Sequence, residues 1–473
     1  MSESTAGVIS VRIVAGVVGT AFAAAAIAGA ALLPLPTLSS SPEALIVEPV
    51  PAASQLVCPG AILQLGDSSG QNASVASAIG EPVLSLGATA GDAPTSSLPQ
   101  AGGDSAGAPT LLTASDPTAS LAGAQYESVD RGDYRGLAAA ACAQPSSDSW
   151  LVGGSTAVGR TTLLSLSNPG TVDSTVALEI ASEDGPLEAP GLTGILVPAG
   201  GQRVLSLAGF GPGLESLAVH VTSRGGPVAA ALHQSIVRGI EASGVDIVGT
   251  TAAPATSVVI PGLVIADVDA LTSRLGEDGF DDLKTVVRLY APGDAAAQTT
   301  VRIVPEGEAA TGASFDLVLD AGVVTDVPIE GLVDGSYAVV IESSAPVVAA
   351  VRASTVAAEK VGTVPAGASD LAWFSAATVL TDEVFATVAA GPAASLHLVN
   401  PTTAAVTATV GESSVTVAAG ASVTVEVDPG SSIAITGGAG LYASVSLAAS
   451  GRLASYLVSA AAGSEAPVTV YLG

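Results

Sequence analysis

The chain is poor in the side chains that usually carry chemistry. Its 473 residues include three histidines, two cysteines, two tryptophans and one methionine. Lys and Arg number 14 against 43 Asp and Glu, a formal net charge of −29. Without a basic stripe to neutralise phosphates, nucleic acid is excluded as a partner. The acidity keeps an apolar-rich protein soluble. No phosphate-binding loop, dinucleotide fingerprint or catalytic Cys-His arrangement occurs, so no cofactor is expected. His220, His233 and His397 stand singly, outside any zinc-motif spacing, although His220 and His233 could pair across neighbouring strands. Aromatic residues make up 3% of the chain, so its cores must be filled by Val, Leu, Ile and Ala. Helical periodicity is nearly absent, and residues 267–275 are the one helix candidate.

What the chain does have is a phrase that occurs three times: LLSLSNPG at 163–170, VVRLYAPG at 286–293 and SLHLVNPT at 395–402. Each is an alternating apolar strand stopped by proline, which cannot donate a ladder hydrogen bond. A second alternating run follows each copy. Next comes a strand, an Ala-Gly turn and another strand, at 195–207, 317–329 and 415–427. Short alternating strands in a period of about 100 residues predict an all-β fold of tandem immunoglobulin-like β-sandwich repeats. A β-propeller is the alternative, although this period is about twice a blade. Such repeats in tandem predict an elongated particle.

The expected domains are 147–250, 254–358 and 369–473, with Trp150 and Trp373 heading the first and third behind matching Ser-Asp lead-ins. Before them, 55–146 reads as a β region with a Gly/Ser/Pro-rich flexible loop at 89–109. Its closing phrase, 134–142, echoes 224–232 and suggests the last strand of a divergent fourth copy. Residues 36–54 are a Pro/Ser-rich tether. Residues 13–35 form an apolar run long enough to span a bilayer, behind a short cytoplasmic segment, 1–12. The expected location is therefore the cell membrane, single-pass, N-terminus inside and bulk outside. Small residues at 24–30 leave signal-peptide cleavage and secretion as the alternative.

Three local patterns are candidates for chemistry. Gly66 to Gly70 matches G-x-S-x-G, but its surroundings read as a polar turn rather than the strand and helix of a nucleophile elbow. Asp278, Asp281 and Asp282 lie in the densest acidic run and are calcium candidates, without EF-hand spacing. Cys58 and Cys142, the only cysteines, both fall outside the membrane, where oxidation is allowed, and a disulfide between them is expected.

The run WLVGGST at 150–156, with LSNPG at 166–170, VPAG at 197–200 and SRGGPV at 223–228, resembles a family of exported actinobacterial proteins of unknown function. The resemblance covers most of 55–460 and implies a role at the cell envelope. It carries over no functional residue. The reading is a non-enzymatic, membrane-tethered scaffold or binding module whose partners are envelope proteins or glycans. The alternative is an accessory or catalytic subunit in envelope carbohydrate assembly. Convergent carboxylates about 5–9.5 Å apart in a cleft would mark a catalytic subunit, and Trp150, Trp373, Tyr290 and Tyr337 are the available sugar-stacking platforms.

Overall fold

The computed structural model describes residues 54–66, 75–100, 106–307 and 312–459, with short stretches at 18, 20–22, 44–47 and 468–471. Residues 1–50 and 464–473 form one unit, in which Ala44–Val47 pairs antiparallel with Val468–Tyr471. Among the described residues no helix is long and apolar enough to cross a membrane. The apolar run 13–35 and the tether 36–54 lie almost wholly outside the described residues, as do Asp67 to Gly70 of the G-x-S-x-G pattern.

Residues 51–463 form the second unit, and its described residues are all-β apart from one helix and two 3-10 turns. Period-2 alternation sets which side chains go inside. In Ser174–Ser182, Val176, Leu178 and Ile180 are buried while Glu179 faces out. Each such aliphatic burial stabilises by about 1.5–3 kcal/mol.

One strand order recurs. In the first repeat, Asp148–Val152, Leu217–Arg224 and Ser174–Ser182 lie side by side, with Ile195–Val197 on the far edge. The second sheet runs Gly201–Ser206, Arg160–Asn168, Ala229–Arg238, Glu241–Val248. Leu164, Leu166 and Leu232 of this sheet share a core with Val176, Leu178 and Val219 of the other. The third repeat has the same order: Glu383–Thr387, Ser432–Thr436, Val406–Val410, Ser413–Val417 in one sheet, and Ser422–Glu426, Ser395–Val399, Tyr442–Ala449, Arg452–Val458 in the other. In the second repeat two strands are fused into Gly335–Val356, whose two halves serve different sheets. Residues 55–141 carry the order in reduced form. One sheet is Gln55–Cys58, Thr110–Thr113, Thr95–Ser97, and the other is Val83–Ala88, Leu121–Arg131, Tyr134–Ala141.

Several expectations change against this topology. Each repeat is two sheets sharing a core, whereas a propeller blade is a single radial sheet. The strands on either side of each Ala-Gly turn lie in different sheets, and Gly200, Gly322 and Gly420 take φ of 61°, 75° and 67° where the chain crosses over. Residues 89–109 are not simply a loop, because Thr95–Ser97 pairs with Thr110–Thr113. Trp373 does not head the third repeat. Its strand, Ser369–Ser375, pairs with the end of Gly335–Val356 and completes the second repeat. The helix forms as expected, at Val268–Leu275, with Leu271 packed on Leu283 and Val356.

The repeated Asn-Pro phrase has a structural cause. The Asn168 amide donates to Val172 O (2.8 Å) and Val197 O (3.1 Å), and its Oδ1 accepts from Gly170 N (2.9 Å). Asn400 does the same with Ala404 O, Val417 O and Thr402 N. One side chain thus ties the strand ending at the phrase to the edge strand of the opposite sheet.

Candidate functional site: an axial hub and its cavity

The last strand of each repeat lies at the edge of its sheet and meets its counterparts. Tyr134–Ala141, Glu241–Val248, Ser369–Ser375 and Arg452–Val458 pack successively on one another, and the fourth returns to the first. An elongated chain of separate domains is therefore not what forms. The four repeats close around a shared axis.

Edge strands carry N–H groups with no ladder partner. Here carboxylates take them. Asp370 Oδ2 accepts from Leu137 N (2.8 Å) and Leu453 N (3.1 Å), and Oδ1 accepts from Val245 N (3.3 Å). One side chain thereby holds the other three repeats. Asp246 accepts from Trp373 N (2.7 Å) and from Ile247 N (2.9 Å). Ladder partners Glu127↔Ala138, Gln234↔Asp246, Ala353↔Ala372 and Leu447↔Ala454 align the four strands. Gly136, Gly244, Asp370 and Arg452 then share one level. The two glycines make the room. A Cβ on Gly136 would lie 2.4 Å from Asp370 Oδ1, and one on Gly244 would lie 2.4 Å from Leu371 Cδ2. Burial pushes the Asp370 carboxyl up to about 7, against the pull of Arg452 and of the N–H bonds. Burial pushes Asp246 well above the carboxylate range too, and the neighbouring Asp370 charge adds to it.

At the C-terminal ends of the four central strands the hub opens into a cavity of about 240 Å³. Ala141, Ile247, Ser375 and Leu457 bring one wall from each strand, and Phe385 and Leu121 close the sides. Among the described residues no Asp, Glu, His, Lys or Arg lines it. Its only titratable side chain, Tyr456, is engaged: the hydroxyl donates to Thr387 O (3.1 Å) and accepts from Ala389 N (2.8 Å). Cys142 stands in the wall, bonded to Cys58 with S–S 2.01 Å, as expected from the sequence.

A second polar cluster joins the second and third repeats. His397 lies between Glu306 (Nδ1 to Oε2, 3.0 Å) and Ser446 (Nε2 to Oγ, 2.7 Å). This is the connectivity of a carboxylate–imidazole–hydroxyl triad. Ser446 is 2% exposed, however, and none of the three lines the cavity. The equivalent positions show what the cluster does. Ser165, Arg288 and His397 occupy the same place in the repeated phrase. Across the ladder, His233, Arg352 and Ser446 face the same phrase position. In the first repeat the pair recurs with roles exchanged, Ser165 to His233 at 3.1 Å, where burial lowers His233 to about 4. In the second, Arg288 reaches Gly154 O (2.7 Å) and Glu215 O (3.1 Å) of the first repeat and binds Asp326 bidentately. In the second and third repeats these positions latch one repeat to another, whereas in the first the pair stays within its own sheet.

The remaining sequence candidates are placed as follows. Asp282 is not available to calcium, because Arg160 and Arg238 both bind its carboxylate. Asp278 and Asp281 are exposed beside it, and no group of three or more His, Cys, Asp or Glu among the described residues could hold a metal ion. His220 and His233 do not pair, since they lie in different sheets. His220 instead stacks on Trp150, ring centroids 4.1 Å apart, between Asp148 and Glu179. Trp150 and Tyr337 are buried and offer no face to a sugar, while Trp373, buried from the outside, contributes to the cavity wall. Asp370 and Asp246 were missed, although GLA, GVD, DLA and RLA at 136–138, 244–246, 370–372 and 452–454 are an aligned signal.

No curated protein matches the chain. The profile of a family of unknown function, DUF5719, matches residues 100–470, from within the first two-sheet unit through all three later repeats. The chain belongs to that family.

Proposed function

We propose that this protein is a non-enzymatic, extracytoplasmic envelope protein, tethered by its apolar run at 13–35. On this reading its immunoglobulin-like repeats form a binding module with the axial cavity as its ligand site. The carrying observation is the cavity itself. It is walled by all four central strands, and its described lining is apolar and hydroxyl side chains with one amide, Gln144, and no charged group. Pockets between domains with few polar groups are common ligand sites. A catalytic subunit acting on glycans would need convergent carboxylates in that space. The acidic side chains near the axis, Asp246 and Asp370, are instead spent on strand N–H groups.

The test is site-specific photocrosslinking in native cells. A crosslinker replacing Ser375 or Leu457 at the cavity should give a discrete adduct that one replacing the exposed Val158 does not. Adducts from Val158 alone, or hydrolysis of envelope glycans that survives filling the cavity by Ser375→Trp, would overturn the proposal.

A further inference from the structure

The hub holds two carboxyl groups where water does not reach. Both Asp246 and Asp370 are buried, and the charge of one acts on the other. Like charges in a dry site resist simultaneous ionisation. The groups facing them relieve this only in part: Arg452 and the strand N–H groups pull Asp370 down, yet burial still holds it up at about 7. The leading unit offers Gly136 at this level, and its neighbour Arg135 is paired with Asp130 at 3.1 Å. The first repeat contributes Asp246 itself, and its Arg238 is committed to Asp282, with a weaker contact to Ser369 Oγ at 3.4 Å. The third repeat contributes Arg452, the one cation at this level, whose Nη1 is buried without a hydrogen-bond partner. Glu127, on the leading unit's strand next to Tyr134–Ala141, is a further buried carboxyl pushed up to about 7 by burial.

We propose that Asp246 and Asp370 form a proton-linked lock: the four repeats close tightly around the axis while the pair holds a proton, and loosen when both carboxyls ionise. The geometry makes the coupling direct. The N–H groups bound by this pair come from four different repeats, so weakening it releases contacts all round the ring at once. The strands that would part are the ones that wall the cavity, so ligand access would follow the same proton. The lock itself stands whether or not the cavity binds a ligand.

The direction follows from linkage. The closed ring retains a proton that the opened ring, with ordinary carboxyls, releases, so closure weakens as pH rises toward the raised values. Above about pH 5.5 ordinary surface carboxyls are already largely ionised, and the aspartate variants distinguish the buried pair from other groups that titrate in this range.

Hydrogen exchange on the full chain tests this through the amides of Leu137, Val245, Leu453 and Trp373. Corrected for intrinsic rates, their protection should fall at least tenfold between pH 5.5 and 8. Asp246→Asn should reduce that fall, and Asp246→Asn with Asp370→Asn should flatten it. Glu127→Gln should leave it in place. Should the double variant not fold, the wild-type profile and Asp246→Asn alone decide. Protection independent of pH in the wild type, or a fall unchanged by Asp246→Asn, would overturn the lock.

Discussion

Replacing Cys58 by Ser separates a closed ring from a string of independent domains. The Cys58–Cys142 bond spans 84 residues of chain. Closing a loop of that length stabilises by about 4–5 kcal/mol in the chain-entropy model. How this appears on heating depends on how much of the protein unfolds together. If the leading unit melts alone, its roughly 90 residues carry an unfolding entropy near 0.2 kcal/mol/K, and its transition should drop by more than about 20 °C. If 51–463 melts as one body, the same loss is spread over roughly 400 residues, and the shift is about 5 °C. The shared axis predicts the second outcome, because Leu137 of the leading unit is bonded to Asp370 of the second repeat. Scanning calorimetry of wild type and Cys58→Ser reads the difference. A new early transition in the variant, with the main peak unmoved, would refute the ring's cooperativity.

Arg288→Ala should cost about 3–5 kcal/mol in urea denaturation, because it strips Asp326 of its partner and leaves carbonyls of the first repeat unpaired. A loss below 1 kcal/mol would mean the latch is dispensable. Asn168→Ala should cost about 1–3 kcal/mol by removing buried carbonyl partners, read by the same method. His233 is held neutral by burial, its value lowered from 6.5 to about 4. The unfolded chain therefore takes up a proton first as pH falls, and this site's contribution of about 3 kcal/mol is lost between pH 6.5 and 4. NMR of His233 at pH 5 should show a neutral ring, and an imidazolium there would contradict the assignment.

How much was legible in the sequence differs by scale. The strands were, because alternation and proline stops are local: the phrases at 163–170 and 395–402 fall on Arg160–Asn168 and Ser395–Val399. The disulfide was also legible, since two cysteines leave one pairing. Partner choice was not. A proline or an Ala-Gly turn marks where a strand ends, but not whether the chain folds back or crosses to the other sheet. Trp150 and Trp373 share a lead-in, yet one opens a repeat and the other closes one, because pairing is decided by strands far away in sequence. Asp370 escaped notice for the same reason: its bonds to Leu137, Val245 and Leu453 span 233, 125 and 83 residues. The pairing of Asp282 was not legible either, because a cluster of Asp residues does not reveal that Arg160 and Arg238 will fold against one of them.

The closure of four repeats on one axis is the claim on which the hub, the cavity and the lock all rest, and small-angle X-ray scattering of residues 54–459 tests it most directly. A closed body of this length should have a radius of gyration of about 22 Å. Four compact units strung end to end, each of about 13 Å, would give roughly 40 Å and would contradict it.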